Sequence, residues 1–330
     1  MEEKNFDKLI LYFSDKIRSA LEKVSIKDQI QEIRLRAEKP LSVTSFGKEL
    51  FITENGGISS SPSIGLIVGK RDVDYSFKAV CEYSVHSFQK ELSQGYITLP
   101  GGHRVGLCGS AVIKDGKMET IKHISGMNFR IANEVKGCAD EIMKILFNSK
   151  IAGTLIIGPP LSGKTTFLRD LCRQLGNLRK VSLIDERGEI ASVYQGIPQN
   201  DVGICTDVFD GYQKEDGMAA AIRSMSPEII VVDEIGGLND CMAIERCSNA
   251  GVVVIASAHA GSFEELDERK HIRALLDQRI FSQVVLLGNR EKPGVIKDIK
   301  EVQRHAENIR NAADYHNYGA DGNYILKKVN

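Results

Sequence analysis

The sequence predicts two units of different class: a smaller α+β domain over residues 1–135 and, after a connecting segment at 136–152, an α/β domain with a mostly parallel sheet over 153–304. Three observations predict this. Before residue 135 an amphipathic helical stretch gives way to short alternating strands divided by glycine-rich turns. After residue 153 short apolar strands alternate with amphipathic helices, the signature of βαβ units. A chain of 330 residues also exceeds the length one core ordinarily serves, since domains cluster near about 150 residues.

In the first unit, Phe6, Leu9, Ile10, Phe13, Ile17, Leu21 and Val24 recur at three- and four-residue spacing, which predicts a helix with one buried face. Residues 32–36 alternate, and 41–46 and 50–53 flank Gly47-Lys48, so short strands joined by a turn are expected. Residues 56–63 are rich in turn formers and read as a loop. Residues 72–92 read as a helix ended by Gly95. Segments 97–99, 104–107, 110–113 and 119–122 read as short strands separated by Gly101-Gly102 and Asp115-Gly116. A connecting helix is expected over 139–147, and the polar, Asn-rich stretch 305–330 as a surface helix or loosely held tail.

Composition excludes several classes. With 42% hydrophobic and 26% charged residues the chain is globular rather than disordered. Lys+Arg 43 against Asp+Glu 44 gives no basic excess to advertise nucleic acid. The longest apolar runs, 229–232 and 252–258, fall far short of the roughly 18 residues a membrane helix needs. The N-terminal Met1-Glu2-Glu3-Lys4 is acidic where a signal peptide is basic, so secretion by such a signal is not expected. Seven cysteines (81, 108, 138, 172, 205, 241 and 247) form no Cys-x-x-Cys pair and read as free thiols of a reducing cytoplasm.

The strongest chemical signal is Gly158-Pro159-Pro160-Leu161-Ser162-Gly163-Lys164-Thr165, a G-x-x-x-x-G-K-[ST] phosphate loop. It follows the apolar run 154–157 and precedes Thr166 and the helical stripe Phe167, Leu168, Leu171 and Leu175. Strand, loop and helix thus stand in the order that aims backbone N–H groups and a helix N-terminus at an anion. Lys164 suits the β- and γ-phosphates of ATP, and the Thr165 hydroxyl suits Mg2+. A second apolar run, 229–232, ends in Asp233-Glu234, where Asp233 would serve the Mg2+ shell and Glu234 would polarise the attacking water. The run 181–184 ends in Asp185 and Glu186, with Glu189 close behind, so Glu186 competes with Glu234 as general base. The run from Val252 ends in Ser257 and His259, where a polar side chain can sense the γ-phosphate, the alternative being a structural histidine. These motifs predict a RecA-like P-loop ATPase domain that converts ATP to ADP and phosphate.

The phosphate loop, Ile184-Asp185-Glu186-Arg187, Asp233-Glu234 and His259 resemble, in order, the Walker A, Asp-box, Walker B and His-box motifs of the secretion ATPase superfamily. Three further stretches, Gln94 to Gly109, Ile124 to Ala132, and Arg223-Ser-Met-Ser-Pro-Glu228, resemble the stage III sporulation protein AA family. The resemblance implies a cytoplasmic ATPase of the mother cell, peripheral at the membrane through membrane proteins of a sporulation channel complex shared with the forespore. It also implies a hexameric ring. Arg104 and Arg130 stand where that family places phosphate-contacting arginines, the alternative being surface salt bridges; Arg223 is a weaker candidate. Two departures stand out: Asp233-Glu234 replaces the Gly-Glu of the wider superfamily, which implies a more direct metal role, and residues 56–70 match no family pattern. The competing functions are a nucleic-acid-stimulated RecA-like ATPase, for which Arg34, Arg36, Lys70 and Arg71 would form the strand-binding face, and a non-hydrolysing scaffold. A 6% aromatic content with no Trp speaks against nucleic acid, and the acids against the scaffold.

Overall fold

A computed structural model describes residues 5–132, 135–148, 151–288, 293–304 and 324–328. The chain divides into two compact units, Met1–Asn133 with Ser192–Gln199, and Glu134–Ala191 with Asn200–Asn330.

The first unit is built on a seven-stranded antiparallel sheet in the order Ile58–Ser59, Lys48–Ile52, Ser42–Ser45, Ile30–Arg36, Lys117–Arg130, Arg104–Lys114 and Tyr96–Thr98. The short strands expected over 104–122 merge into one hairpin. Its turn, Asp115-Gly116, has positive φ at both residues (51° and 74°), the two-residue geometry that matches strand twist. Gly109, in the gap between the expected strands 104–107 and 110–113, is a bulge where the register slips between Cys108 and Ser110; a Cβ there would lie 2.7 Å from the Lys122 carbonyl oxygen. The expected first helix is also divided. It runs Asn5–Leu9, a 3-10 turn Ile10–Tyr12, then Asp15–Glu22, breaking at Ser14, whose hydroxyl donates to Asp72 Oδ1 at 2.6 Å. All seven apolar positions of the stripe remain buried. The helix expected over 72–92 is likewise two, Lys70–Val80 and Gln89–Gln94, because Glu82 and Tyr83 adopt left-handed backbone (φ 49° and 59°); Gly95, at φ 81°, caps the second as anticipated. Within the expected loop at 56–63, Ile58–Ser59 adds the sheet's edge strand.

The second unit carries an eight-stranded sheet in the order Thr206–Asp210, Val181–Asp185, Ile229–Val232, Val253–His259, Thr154–Gly158, Gln283–Leu287, Ile296–Arg304 and Tyr324–Lys328. Neighbours from the first to Gln283–Leu287 run parallel, and the last two strands add antiparallel. Every residue of Thr154–Gly158, Val181–Asp185, Ile229–Val232 and Gln283–Leu287 is buried, as a parallel sheet covered on both faces requires. The α/β, RecA-like class expected from the sequence is the class observed. Register pairs Gly158 with His259, Ile184 with Val232, and Val232 with Ala256, so 158, 185, 233 and 259 reach one edge together.

Two segments depart from the expected organisation. Ser192–Gln199, expected within the second domain, groups with the first unit: the Tyr194 hydroxyl bonds Glu82, and Gln199 Oε1 accepts the Gly101 N–H at 2.8 Å. From the expected tail, Tyr324–Lys328 pairs with Ile296–Arg304 as a strand, while 305–323 lie outside the described residues. All seven cysteines are free thiols, and burial pushes that of Cys172 up to about 12. No helix among the described residues is long and apolar enough to cross a membrane.

Candidate functional site

The loop 158–165, predicted from its sequence to hold phosphate, lies between Thr154–Gly158 and the helix Lys164–Gly176. The helix is seated by buried Phe167, Leu168, Leu171 and Leu175, and by Asp170. That carboxylate accepts the Ala139 N–H at 2.9 Å, Arg173 Nη2 at 2.7 Å and Gln174 Nε2 at 3.1 Å. The loop reverses direction through left-handed Leu161 (φ 65°) and Gly163 (φ 85°). Its outer wall is the chain just past Gln283–Leu287: the Gly294 N–H donates to the Ser162 carbonyl at 2.7 Å. A Cβ on Gly163 would come within 2.6 Å of that same nitrogen. Pro160 and Leu161 are exposed on the loop's crest, while Gly158 and Ser162 are buried in its base; Thr166 is half-buried in the first helical turn.

Lys164 is buried and its Nζ donates to the carbonyls of Gly158 at 2.8 Å and Pro159 at 3.0 Å. Burial draws its ammonium below the ordinary lysine range, while Asp233 and Glu234 work in the opposite direction. Nζ also lies 3.1 Å from His259 Nδ1. Lysine has donors only, so Nδ1 accepts and the ring proton sits on Nε2, which faces Glu234 Oε1 at 3.0 Å. The Thr165 hydroxyl donates to Asp233 Oδ2 at 3.2 Å. Burial raises the Asp233 carboxyl, and hydrogen bonds from Ser257 and Thr165 oppose the rise. The Ser257 hydroxyl, fully buried, donates to Asp233 Oδ1 at 2.5 Å and accepts the Glu234 N–H at 3.0 Å. Lys164, Thr165, Asp233, Glu234 and His259 therefore converge on one sheet edge.

Glu186 is elsewhere engaged: Lys214 Nζ pairs with its Oε2 at 2.5 Å, with both side chains largely buried. Asp185, beside it, turns inward and accepts three backbone N–H groups, from Glu189 at 2.9 Å, Ile190 at 3.0 Å and Ala191 at 2.8 Å. Sequence reasoning passed over Lys214, and it marked Ser257 as a strand-end polar residue and Arg187 as part of the Asp-box segment without the partners found here. Each acts on a residue far along the chain, and no local pattern names that partner.

Arg104 and Arg130 belong to the first unit, directly opposite each other on paired strands. Arg104 lies over the Tyr96 ring at 4.5 Å, and Arg130 Nε is 3.8 Å from Glu32 Oε1. Two like charges in register cost stability, and Glu32, which also binds Arg34 at 2.7 Å, offsets part of it. The basic residues weighed as a strand-binding face are largely neutralised: Arg36 pairs with Glu49 at 2.9 Å, and Lys70 pairs with Asp74. Arg223 is exposed on the helix Lys214–Ser224.

A sequence model of the family described as "Sporulation stage III, protein AA" matches residues 3–306. The chain belongs to this family. A stage III sporulation protein AA from Bacillus subtilis (strain 168) is 35% identical over 277 residues, covering 82% of this chain and 86% of the relative. Two solved structures share the fold at low identity. The Legionella pneumophila ATPase DotB superposes with a TM-score of 0.50 at 15% identity, over 91% of this chain and 76% of its own. The pilus retraction motor PilT with bound ADP gives 0.52 at 15%, over 94% and 80%.

Proposed function

We propose that the chain is a Mg2+-dependent ATP hydrolase of the secretion type. It would serve in sporulation as a cytoplasmic motor or assembly factor, peripheral to the membrane at the base of a channel complex between mother cell and forespore. The observation that carries the reading is the convergence of Lys164, Thr165 and Asp233 at the C-terminal edge of a parallel sheet, where ligands of open α/β folds bind. The sporulation role rests on family membership, and the motor role on the fold shared with DotB and PilT.

Thr165 and Asp233 present a hydroxyl and a carboxylate oxygen 3.2 Å apart, the hard-oxygen pair that suits Mg2+. No cluster of three or more His, Cys, Asp or Glu occurs among the described residues, which also suits an ion completed by waters and phosphates rather than caged by protein. When bound, Mg2+ would supply charge neutralisation at the phosphates. The helix N-terminus and loop N–H groups bind the phosphates, Lys164 neutralises their charge, and Glu234, linked to Lys164 through His259 while Glu186 is held by Lys214, takes the proton of the attacking water. Arg104 and Arg130, paired at like-charge cost, are proposed to complete the site of a neighbouring copy in a ring.

Equilibrium titration with ATP and turnover with and without Mg2+ test this reading. Lys164→Ala should abolish or strongly weaken binding, and undiminished affinity overturns the assignment. Turnover stimulated by single-stranded DNA instead would favour the nucleic-acid alternative.

A further inference from the structure

We infer that Arg187 is a positioning residue that fixes the carboxylate of Glu234. The inference rests on the hydrolase reading above and goes beyond it. Arg187 Nη1 lies 2.6 Å from Glu234 Oε2, and His259 Nε2 lies 3.0 Å from Oε1, so each carboxylate oxygen has its own donor. The backbone beneath is fixed as well. Glu234 is held in left-handed conformation at φ 49°, a strained choice for a residue with a Cβ, and its N–H is tied to Ser257 Oγ at 3.0 Å. Both oxygens and the backbone beneath them are thus held by separate donors and acceptors.

Arg187 is not a wandering surface side chain. It follows Asp185 and Glu186 at the tip of a turn whose base is gripped by the buried Asp185 carboxylate through the N–H groups of Glu189, Ile190 and Ala191. Arg169 fastens the same turn by donating to the Glu189 carbonyl at 2.7 Å and the Ile190 carbonyl at 2.9 Å. Left-handed Gly188, at φ 61°, shapes the turn next to Arg187. The chain thus builds a rigid platform for one guanidinium. The Arg187–Glu234 pair is open to solvent, with side-chain exposures of 62% and 32%, and such pairs contribute little to stability. Its geometry serves orientation: a carboxylate free to rotate would meet the attacking water in the wrong plane, and small misplacements of catalytic groups cost large factors in rate.

The test compares Arg187→Met, Arg187→Lys, Glu234→Gln and the double variant Arg187→Met/Glu234→Gln in the full chain. Steady-state ATP turnover and equilibrium ATP titration are measured for each. Arg187→Met should lower kcat about tenfold to a hundredfold with ATP affinity within about twofold of wild type. Arg187→Lys, which keeps a cation, should restore part of the loss. In the Glu234→Gln background Arg187→Met should cost less than about twofold more, because a residue acting through Glu234 has nothing left to act on. Full additivity of the two substitutions overturns the inference. Wild-type kcat in Arg187→Met beside a slow Glu234→Gln also overturns it, leaving the hydrolase reading intact. Wild-type kcat in Glu234→Gln overturns the inference together with the choice of Glu234 as base, while absence of ATP turnover in the unsubstituted chain overturns the hydrolase reading itself. Should Arg187→Met fold poorly by melting temperature, Arg187→Gln carries the same three comparisons.

Discussion

Ser257→Ala isolates the hydrogen bonds that organise the acidic strand end. The Ser257 hydroxyl is fully buried, donates to Asp233 and accepts from the Glu234 backbone. Its removal leaves the Glu234 N–H unpartnered at a cost of about 1–3 kcal/mol and deletes a hydroxyl–carboxylate bond of about 1.5–3 kcal/mol. Asp233 keeps its bond from Thr165, so the combined loss belongs near the low end of that sum, about 3 kcal/mol. For a unit of this size each kcal/mol moves the melting temperature by about 2–4 °C, which gives a fall of about 6–12 °C. Calorimetry of the full chain, following the transition of the second unit, measures it. Ser182→Ala is the control. Ser182 lies two strands away, on Val181–Asp185 of the same sheet, is fully buried, and its hydroxyl meets no partner among the described residues. Deleting an unpaired buried hydroxyl should leave stability unchanged or raise it. A Ser257→Ala transition within about 2 °C of wild type, or an equal fall in Ser182→Ala, refutes the reasoning.

Gly163→Ala should lower ATP affinity at least about tenfold in equilibrium titration, because the position needs φ 85° and the added Cβ would meet the Gly294 nitrogen at 2.6 Å; unchanged affinity would contradict this account of the loop. His103 is buried, its Nδ1 accepts the Ala132 N–H at 3.0 Å, and burial lowers its pKa to about 4 from 6.5. A depressed histidine holds its stabilisation above the unfolded pKa and loses it as pH falls from 6.5 through about 4, an acid loss approaching about 3 kcal/mol. Urea midpoints across that window should show it, and His103→Gln should flatten it; an equal slope in both proteins refutes the assignment.

The elements legible in the sequence are those whose reason is local. The runs at 154–157, 181–184 and 229–232 were readable because a parallel strand covered on both faces must be apolar throughout. Thr206–Asp210 escaped notice for the converse reason: it is the sheet's edge, its burial is partial, and it carries Asp207 and Asp210. The helix break at Glu82-Tyr83 had neither Gly nor Pro to announce it, although both residues are left-handed. Conversely the gap left between the expected strands 104–107 and 110–113 is a bulge at Gly109 within one continuous strand.

The same division runs through the site. Lys164 and Thr165 are adjacent in one motif and were legible at once; Asp233 and Glu234 were legible as a strand end. The partners that aim these groups come from elsewhere in the chain: Ser257 for Asp233, Arg187 for Glu234, Lys214 for Glu186. No spacing rule connects them, because strand register brings Ser257 to Asp233 while a turn carries Arg187 and a helix carries Lys214. Glu186 and Glu234 end similar strands and are equivalent as sequence. What separates them is the cation each meets: Lys214 in a largely buried pair for Glu186, and Arg187 with His259 beside Lys164 for Glu234. On the proposed reading the choice of Glu234 as base follows from the strand order Val181–Asp185, Ile229–Val232, Val253–His259, Thr154–Gly158, which puts His259 between Glu234 and the loop 158–165.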